Sequence, residues 1–167
     1  MSHPNLCATH LGVLLACLRA TDGPILELGA GLFSTPLIHA FSRKNRYART
    51  NEQNKEWAER LSALYRGTAD DHDHEIIWTP DYAAADITDK PWSVALVDHA
   101  THSRAPDLAR LKGHAELIVF HDSEVELWKP DLDAFTYRFT CKVLPHTSVV
   151  SDTQSLDWLS TAVGDLW

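Results

Sequence analysis

The residues best suited to chemistry fall in short runs along the chain. The run Glu27-Leu28-Gly29-Ala30-Gly31 sets an acid just before two glycines. Gly29 permits a tight turn, and Gly31 lets a ligand approach the backbone closely, because neither carries a Cβ. The third glycine of a dinucleotide fingerprint is missing, and Ser34 or Thr35 stands in that region. An acid here repels a pyrophosphate and suits a ligand that carries an ammonium or sulfonium. Glu52 follows the second predicted strand, more polar than the first, where an acid can accept hydrogen bonds from two ribose hydroxyls. An acid opening a helix is also favoured by the helix dipole, and the two readings are compatible. Asp81 and Tyr82 come after a third run. Asp81 is placed to accept from an adenine amino group and Tyr82 to stack, with a polar turn after Pro80 as the other reading.

A second group is richer in histidine. One segment reads Asp98-His99-Ala100-Thr101-His102-Ser103-Arg104 and another His121-Asp122-Ser123-Glu124. Asp98, His121 and Asp122 form an acceptable set for Mg²⁺, Mn²⁺ or a softer divalent ion. Without an ion, His99 or His121 is a candidate general base, since an imidazole titrates near neutral pH. The third reading is a hydrogen-bonded network that pins two loops. Arg104 either neutralises one of these acids or receives an acidic substrate. Asp71, His72, Asp73 and His74 read as a solvated loop, because adjacent loop residues do not converge on an ion without support.

These residues need a frame, and the hydrophobic pattern supplies one. Apolar residues at helical spacing (Leu6, His10, Val13, Leu14, Cys17, Leu18) predict a covering helix over 6–20. Short strands are predicted over 24–28, 46–50, 75–79, 93–97 and 117–120. Helices are predicted over 35–41, with Ser34 as N-cap, over 53–65, with Trp57, Leu61 and Leu64 on one stripe, and over 105–111. Helical turns are expected at 83–86 and 125–128. Strands over 135–143 and 147–150 form a hairpin, and a helix over 155–163 closes the chain. Repeated β-then-α units followed by a hairpin predict a doubly wound, mostly parallel α/β sheet of Rossmann-like type, with helices on both faces and an antiparallel C-terminal hairpin. Ligands then bind at the carboxyl ends of the strands, which is where every run named above lies.

The 167 residues suit one domain spanning 1–167. A net charge of −8 argues against a large nucleic-acid footprint. Cys7, Cys17 and Cys141 are too scattered for a disulfide framework, and Cys7 and Cys17 read as core. No signal peptide is evident and no apolar run approaches the ~20 residues that a bilayer needs, so no membrane partner and a cytoplasmic location are expected. Phe33, Trp128 and Tyr137 are read as core in preference to a substrate pocket. The apolar 6–18 segment and an uncapped cleft predict a homodimer.

The run Ile25-Leu26-Glu27-Leu28-Gly29-Ala30-Gly31, then Glu52, Asp81 and Asp98 after successive strands, resembles a class I S-adenosylmethionine-dependent methyltransferase. The resemblance spans roughly 24–151. It implies a seven-stranded sheet with the last strand inserted antiparallel, with Glu27, Gly29 and Gly31 at the methionine end of the cofactor and Glu52 at the ribose. The two histidine-bearing loops resemble small-molecule O-methyltransferases of the metal-assisted kind, with a His-Asp pair in place of the usual acid pair. Methyl transfer to a small acceptor is the leading expectation. A protein that holds S-adenosylmethionine without transfer, or one that cleaves it on the same fold, is the alternative. No asparagine-proline-proline-aromatic run follows Val97, which disfavours amino-methylating enzymes of nucleic acids and protein glutamine.

Overall fold

The computed structural model describes residues 8–43, 45–66, 72–100 and 104–164. Leu6, Cys7, residues 67–71 and His102 of the sequence reading lie outside them. The elements run α1 (Leu11–Arg19), β1 (Ile25–Leu28), α2 (Ser34–Phe41), β2 (Ala48–Glu52), α3 (Lys55–Tyr65), β3 (His74–Trp78), β4 (Trp92–Val97), α4 (Arg104–Leu111), β5 (Ala115–His121), α5 (Lys129–Asp133), β6 (Tyr137–Cys141), β7 (Thr147–Ser151) and α6 (Asp157–Gly164). Short 3₁₀ turns sit at Tyr82–Ala84 and Glu126–Trp128. The seven strands are ordered β3-β2-β1-β4-β5-β7-β6. The pairings from β3 to β5 are parallel, and β7 enters antiparallel between β5 and β6. The sheet is the doubly wound one expected, with its antiparallel end.

Strand alternation divides the interior into two cores. Ile25, Val94, Leu96, Leu117 and Val119 pack with Leu14 and Leu18 of α1, Ile38 of α2 and Leu159 of α6. Their neighbours Leu26, Ala95, Val97, Ile118 and Phe120 pack with Leu108 of α4 and Leu132 of α5. Successive strand side chains point to opposite faces, so a strand covered on both faces reads as a nearly continuous apolar run. Trp92–Val97, apolar but for Ser93, is accordingly buried at every position.

Several local expectations change. Phe33, not Ser34, is the N-cap of α2 and makes no side-chain cap bond; Ser34 is already helical. The second strand runs to Glu52 and α3 starts later, because Asn54 caps it by accepting from the Trp57 amide. Arg46, expected to start that strand, instead turns its guanidinium onto the Leu18 and Gly23 carbonyls. Leu64 is 64% exposed: α3 covers only the β2–β3 margin, so Ala58 and Leu61 suffice to fill its contact stripe. The 135–143 strand shortens to Tyr137–Cys141 before the cis Leu144–Pro145 loop.

Candidate cofactor groove and acid–histidine cluster

β1 and β4 are the neighbours at which strand order reverses, and a groove of about 370 Å³ opens beyond their carboxyl ends. Its walls include Gly29, Ala30, Glu52, Tyr82, Asp98 and His99. Gly29 has φ +96°, and a Cβ there would stand 2.5 Å from the Asp98 carbonyl oxygen, so the loop after β1 lies directly on the loop after β4. A Cβ at Gly31 would clash with the Ser34 hydroxyl, at 2.7 Å. Glu52 fastens the loop: one carboxylate oxygen accepts from the Ala30 amide (2.9 Å) and the other from the Asn54 amide (2.6 Å). The Trp57 indole donates to the Ala30 carbonyl at 3.2 Å. Each Glu52 oxygen keeps a lone pair for a further donor.

Tyr82 is buried and stacks on His99 at 4.1 Å between ring centroids. Its hydroxyl accepts from the Gln53 amide. Asp81 is not in this groove; it caps the 3₁₀ turn through the Ala83 amide and lines an adjoining groove of about 390 Å³ with Arg49, Trp78 and Asp89.

Glu27 lies beneath the loop and is fully buried. Its Oε2 accepts from the Thr35 (2.9 Å) and Thr50 (2.7 Å) hydroxyls, and Thr35 in turn accepts from the Gly31 amide. Oε1 has no aligned hydrogen-bond partner among the described residues. Burial pushes this carboxyl from the usual 4.5 to about 7, against the easing effect of the Ser34, Thr50 and Thr35 hydroxyls. Thr50 gives its single proton to Glu27, so it must accept from His74 Nε2 at 2.8 Å. His74 is then neutral with Nδ1 as acceptor, facing His39 Nδ1 at 3.3 Å, and burial holds it down at about 4.

The loops after β4 and β5 are joined by Arg104, which is buried. Its guanidinium donates to the His99 and His121 carbonyls, to Asp122 Oδ2 at 2.9 Å and to Asp98 Oδ1 at 3.3 Å. This is the ion-pair reading of Arg104. His121 Nδ1 is 3.0 Å from Asp98 Oδ1, and its Nε2 is 3.1 Å from the Thr9 hydroxyl. Thr9 donates to the Pro145 carbonyl at 2.9 Å, so both His121 nitrogens meet acceptors and both carry protons. Burial alone lowers His121, but Asp98 and Asp122 outweigh it and hold the imidazole above its usual value. Burial likewise opposes ionisation of Asp98, yet its bond to His121 and the charges of His121, His10 and Arg104 bring it below the ordinary carboxylate range. His99 places Nε2 2.9 Å from Asp107 Oδ2 and Nδ1 3.1 Å from the Ala100 carbonyl.

Of the residues singled out in the sequence, Gly29, Glu52, Tyr82, Asp98 and His99 share the groove, Glu27 supports it from below, and His121 and Asp122 meet Asp98 at its end. Asp98, His121 and Asp122 do not close on a common point. Among the described residues, the ligand atoms that do, within 4.8 Å of one another, belong to Asp98, His121 and His10. His10 sits at the start of α1 in an otherwise apolar stripe, which is why sequence reasoning assigned it to the core. The cluster of His39, His72 and His74 was also missed, since His39 is distant in sequence and α2 alone brings it there. Trp128 is core, edge-on to Phe120, whereas Phe33 and Tyr137 are partly exposed.

No family model and no curated protein matches the sequence. Solved structures do resemble the fold. A protein assigned as a caffeoyl-CoA O-methyltransferase from Staphylococcus aureus aligns at 13% identity over 84% of this chain and 82% of that one, with a TM-score of 0.66. Precorrin-6y C5,15-methyltransferase from Geobacter metallireducens aligns at 10% identity over 90% and 91%, with a TM-score of 0.64. An RNA methyltransferase from Salinibacter ruber, solved with S-adenosyl-L-homocysteine, aligns at 16% identity over 87% and 94%, with a TM-score of 0.53. The strand order and these neighbours show that the chain has the Rossmann-like fold of class I S-adenosylmethionine-dependent methyltransferases.

Proposed function

We propose that this protein binds S-adenosylmethionine in the groove at the β1–β4 switch point and transfers its methyl group to a small-molecule acceptor. The observation that carries the reading is the Gly29–Gly31 loop, clamped by Glu52 over a buried Glu27. Glu52 and Asp98 line the groove and Glu27 lies beneath it, an acid-rich setting that fits a cationic sulfonium or ammonium and does not fit a pyrophosphate. When bound, S-adenosylmethionine supplies an electrophilic methyl on its sulfonium. Glu52 receives the ribose hydroxyls on its remaining lone pairs. Tyr82, held by His99, gives the adenosine an aromatic wall. Asp98, His121 and Asp122 face the acceptor end and fix its orientation. Positioning supplies much of such a reaction's rate enhancement.

A proton leaving the acceptor needs a base, and His99 and His121 both meet protein oxygens at each ring nitrogen. Asp122, with one oxygen on Arg104, is the more open carboxylate of the cluster. That engagement of both imidazoles favours a second reading, in which the protein holds the cofactor without transfer. An Mg²⁺ or Mn²⁺ ion on Asp98, His121 and Asp122 does not fit the donors as they stand, because Asp122 faces Arg104 and the converging set is rich in nitrogen.

The same fold serves RNA-directed and small-molecule enzymes. The net charge of −8 weighs against a phosphate-backbone partner. Among the described residues no helix is long and apolar enough to cross a membrane. Calorimetry tests the proposal: S-adenosylmethionine or S-adenosylhomocysteine should bind in the micromolar range and NAD far more weakly. Equal or tighter NAD binding refutes it. A screen of small hydroxylated acceptors with methyl-labelled cofactor then separates transfer from binding alone.

A further inference from the structure

His10 poses a problem that methyl transfer does not solve. It is 2% exposed, and among the described residues neither ring nitrogen has a hydrogen-bond partner. Buried polar groups are nearly always satisfied, so an imidazole with two idle nitrogens asks for a ligand. Its Nδ1 points at Asp98 Oδ2 from 3.9 Å, and its ring stands edge-on to His121 at 4.7 Å between centroids and 67°. We propose that His10, Asp98 and His121 form a binding site for a divalent ion of the nitrogen-preferring class, Zn²⁺ or Co²⁺ before Mg²⁺.

Three observations support this. One ligand atom from each residue lies within 4.8 Å of the others, close enough to be drawn onto one ion. Two imidazoles and one carboxylate suit Zn²⁺ and its transition-metal neighbours, whereas Mg²⁺ and Ca²⁺ take oxygen. The surroundings already hold the histidine as a ligand requires. His121 Nε2–H donates to Thr9, and Thr9 donates to the Pro145 carbonyl, which leaves Nδ1 to face the ion. On binding, the ion replaces the proton that Nδ1 shares with Asp98, so one proton is released. Arg104 touches Asp98 through Oδ1, and its charge is balanced by Asp122; Oδ2, on the His10 side, stays available. Three protein ligands leave positions open to water or an acceptor. The ligand set draws on the start of α1, β4 and β5, and differs from one made of acids after β4 and β5 alone.

The experiment uses the full chain, stripped of metal and titrated with Co²⁺ without S-adenosylmethionine, reading visible ligand-field bands. The expected result is one Co²⁺ per chain, displaced by equimolar Zn²⁺ but not by a thousandfold excess of Mg²⁺. Zn²⁺ should also raise the melting temperature. His10→Phe, or His10→Gln if the larger ring perturbs packing, should weaken Co²⁺ binding at least a hundredfold while the far-ultraviolet spectrum is kept. His72→Ala, away from these ligands, should leave the bands unchanged. Absence of bands, their survival in both His10 variants, their loss in His72→Ala, or displacement by Mg²⁺ would each overturn the proposal. Metal binding is read without cofactor, so its failure leaves the cofactor reading intact, and the converse holds.

Discussion

Replacing Glu27 by Gln removes a charge that the fold carries at a cost. In the unfolded chain this carboxyl ionises near 4.5, and in the folded protein burial raises it to about 7. The folded state therefore holds the proton more tightly. The resulting stability is fully present below pH 4.5 and is lost as pH rises through about 7. At about 1.4 kcal/mol per tenfold, the whole interval corresponds to about 3 kcal/mol, of which about 2–3 kcal/mol is lost between pH 5 and 8. The Glu27→Gln variant keeps the acceptor that Thr35 and Thr50 use and has no charge to bury. Urea denaturation of both proteins from pH 5 to 8 should show the variant gaining about 2–3 kcal/mol on the native chain across that range, whatever their offset at pH 5. By thermal melting this is roughly 4–12 °C for a chain of this size. A bound sulfonium favours the ionised form, so cofactor binding near pH 6.5 should release a substantial fraction of a proton from Glu27 in the native chain. Glu27→Gln has no proton to release at that position. Calorimetry in two buffers of different ionisation enthalpy reads the difference. Parallel stability curves would refute the burial argument, and equal proton release would refute the coupling.

Further outcomes follow from other contacts. Glu52→Ala should weaken S-adenosylmethionine by about 1–3 kcal/mol, since it orphans the Ala30 and Asn54 amides as well as the ribose hydroxyls; unchanged affinity by calorimetry removes Glu52 from the site. Gly29→Ala should cost about 2 kcal/mol or more in urea denaturation, because the residue is at φ +96° and its methyl would strike the Asp98 carbonyl; an unaltered midpoint contradicts the contact. Light scattering should show a dimer, as Leu32, Leu127 and Leu144 are each more than half exposed near the carboxyl ends of the strands; a monomer at high concentration ends that expectation.

The sheet was legible in the sequence because its signals are redundant. Val94–Val97 and Leu117–Phe120 are apolar on both faces, as strands buried between two helical layers are. The glycine loop and Glu52 were legible for a related reason: topology alone brings residues after successive parallel strands to one edge. Contacts that depend on side-chain direction were not. Asp81 follows its strand as expected but turns onto its own backbone, and Asp122 turns to Arg104. His10 was hidden by its company, since a helical stripe of Val13, Leu14 and Cys17 makes any polar member look like packing.

The chain of hydrogen bonds from His39 through His74 and Thr50 to Glu27 has a practical consequence. Each donor is committed in one direction, so the His74 ring can answer a change at Glu27 only by a change in its own shielding or tautomer. His74 lies on the outermost strand, away from the groove. Its imidazole is thus a native spectroscopic reporter: ring nitrogen and carbon resonances of labelled histidine would register occupancy of the loop after β1 without any probe placed in the groove itself.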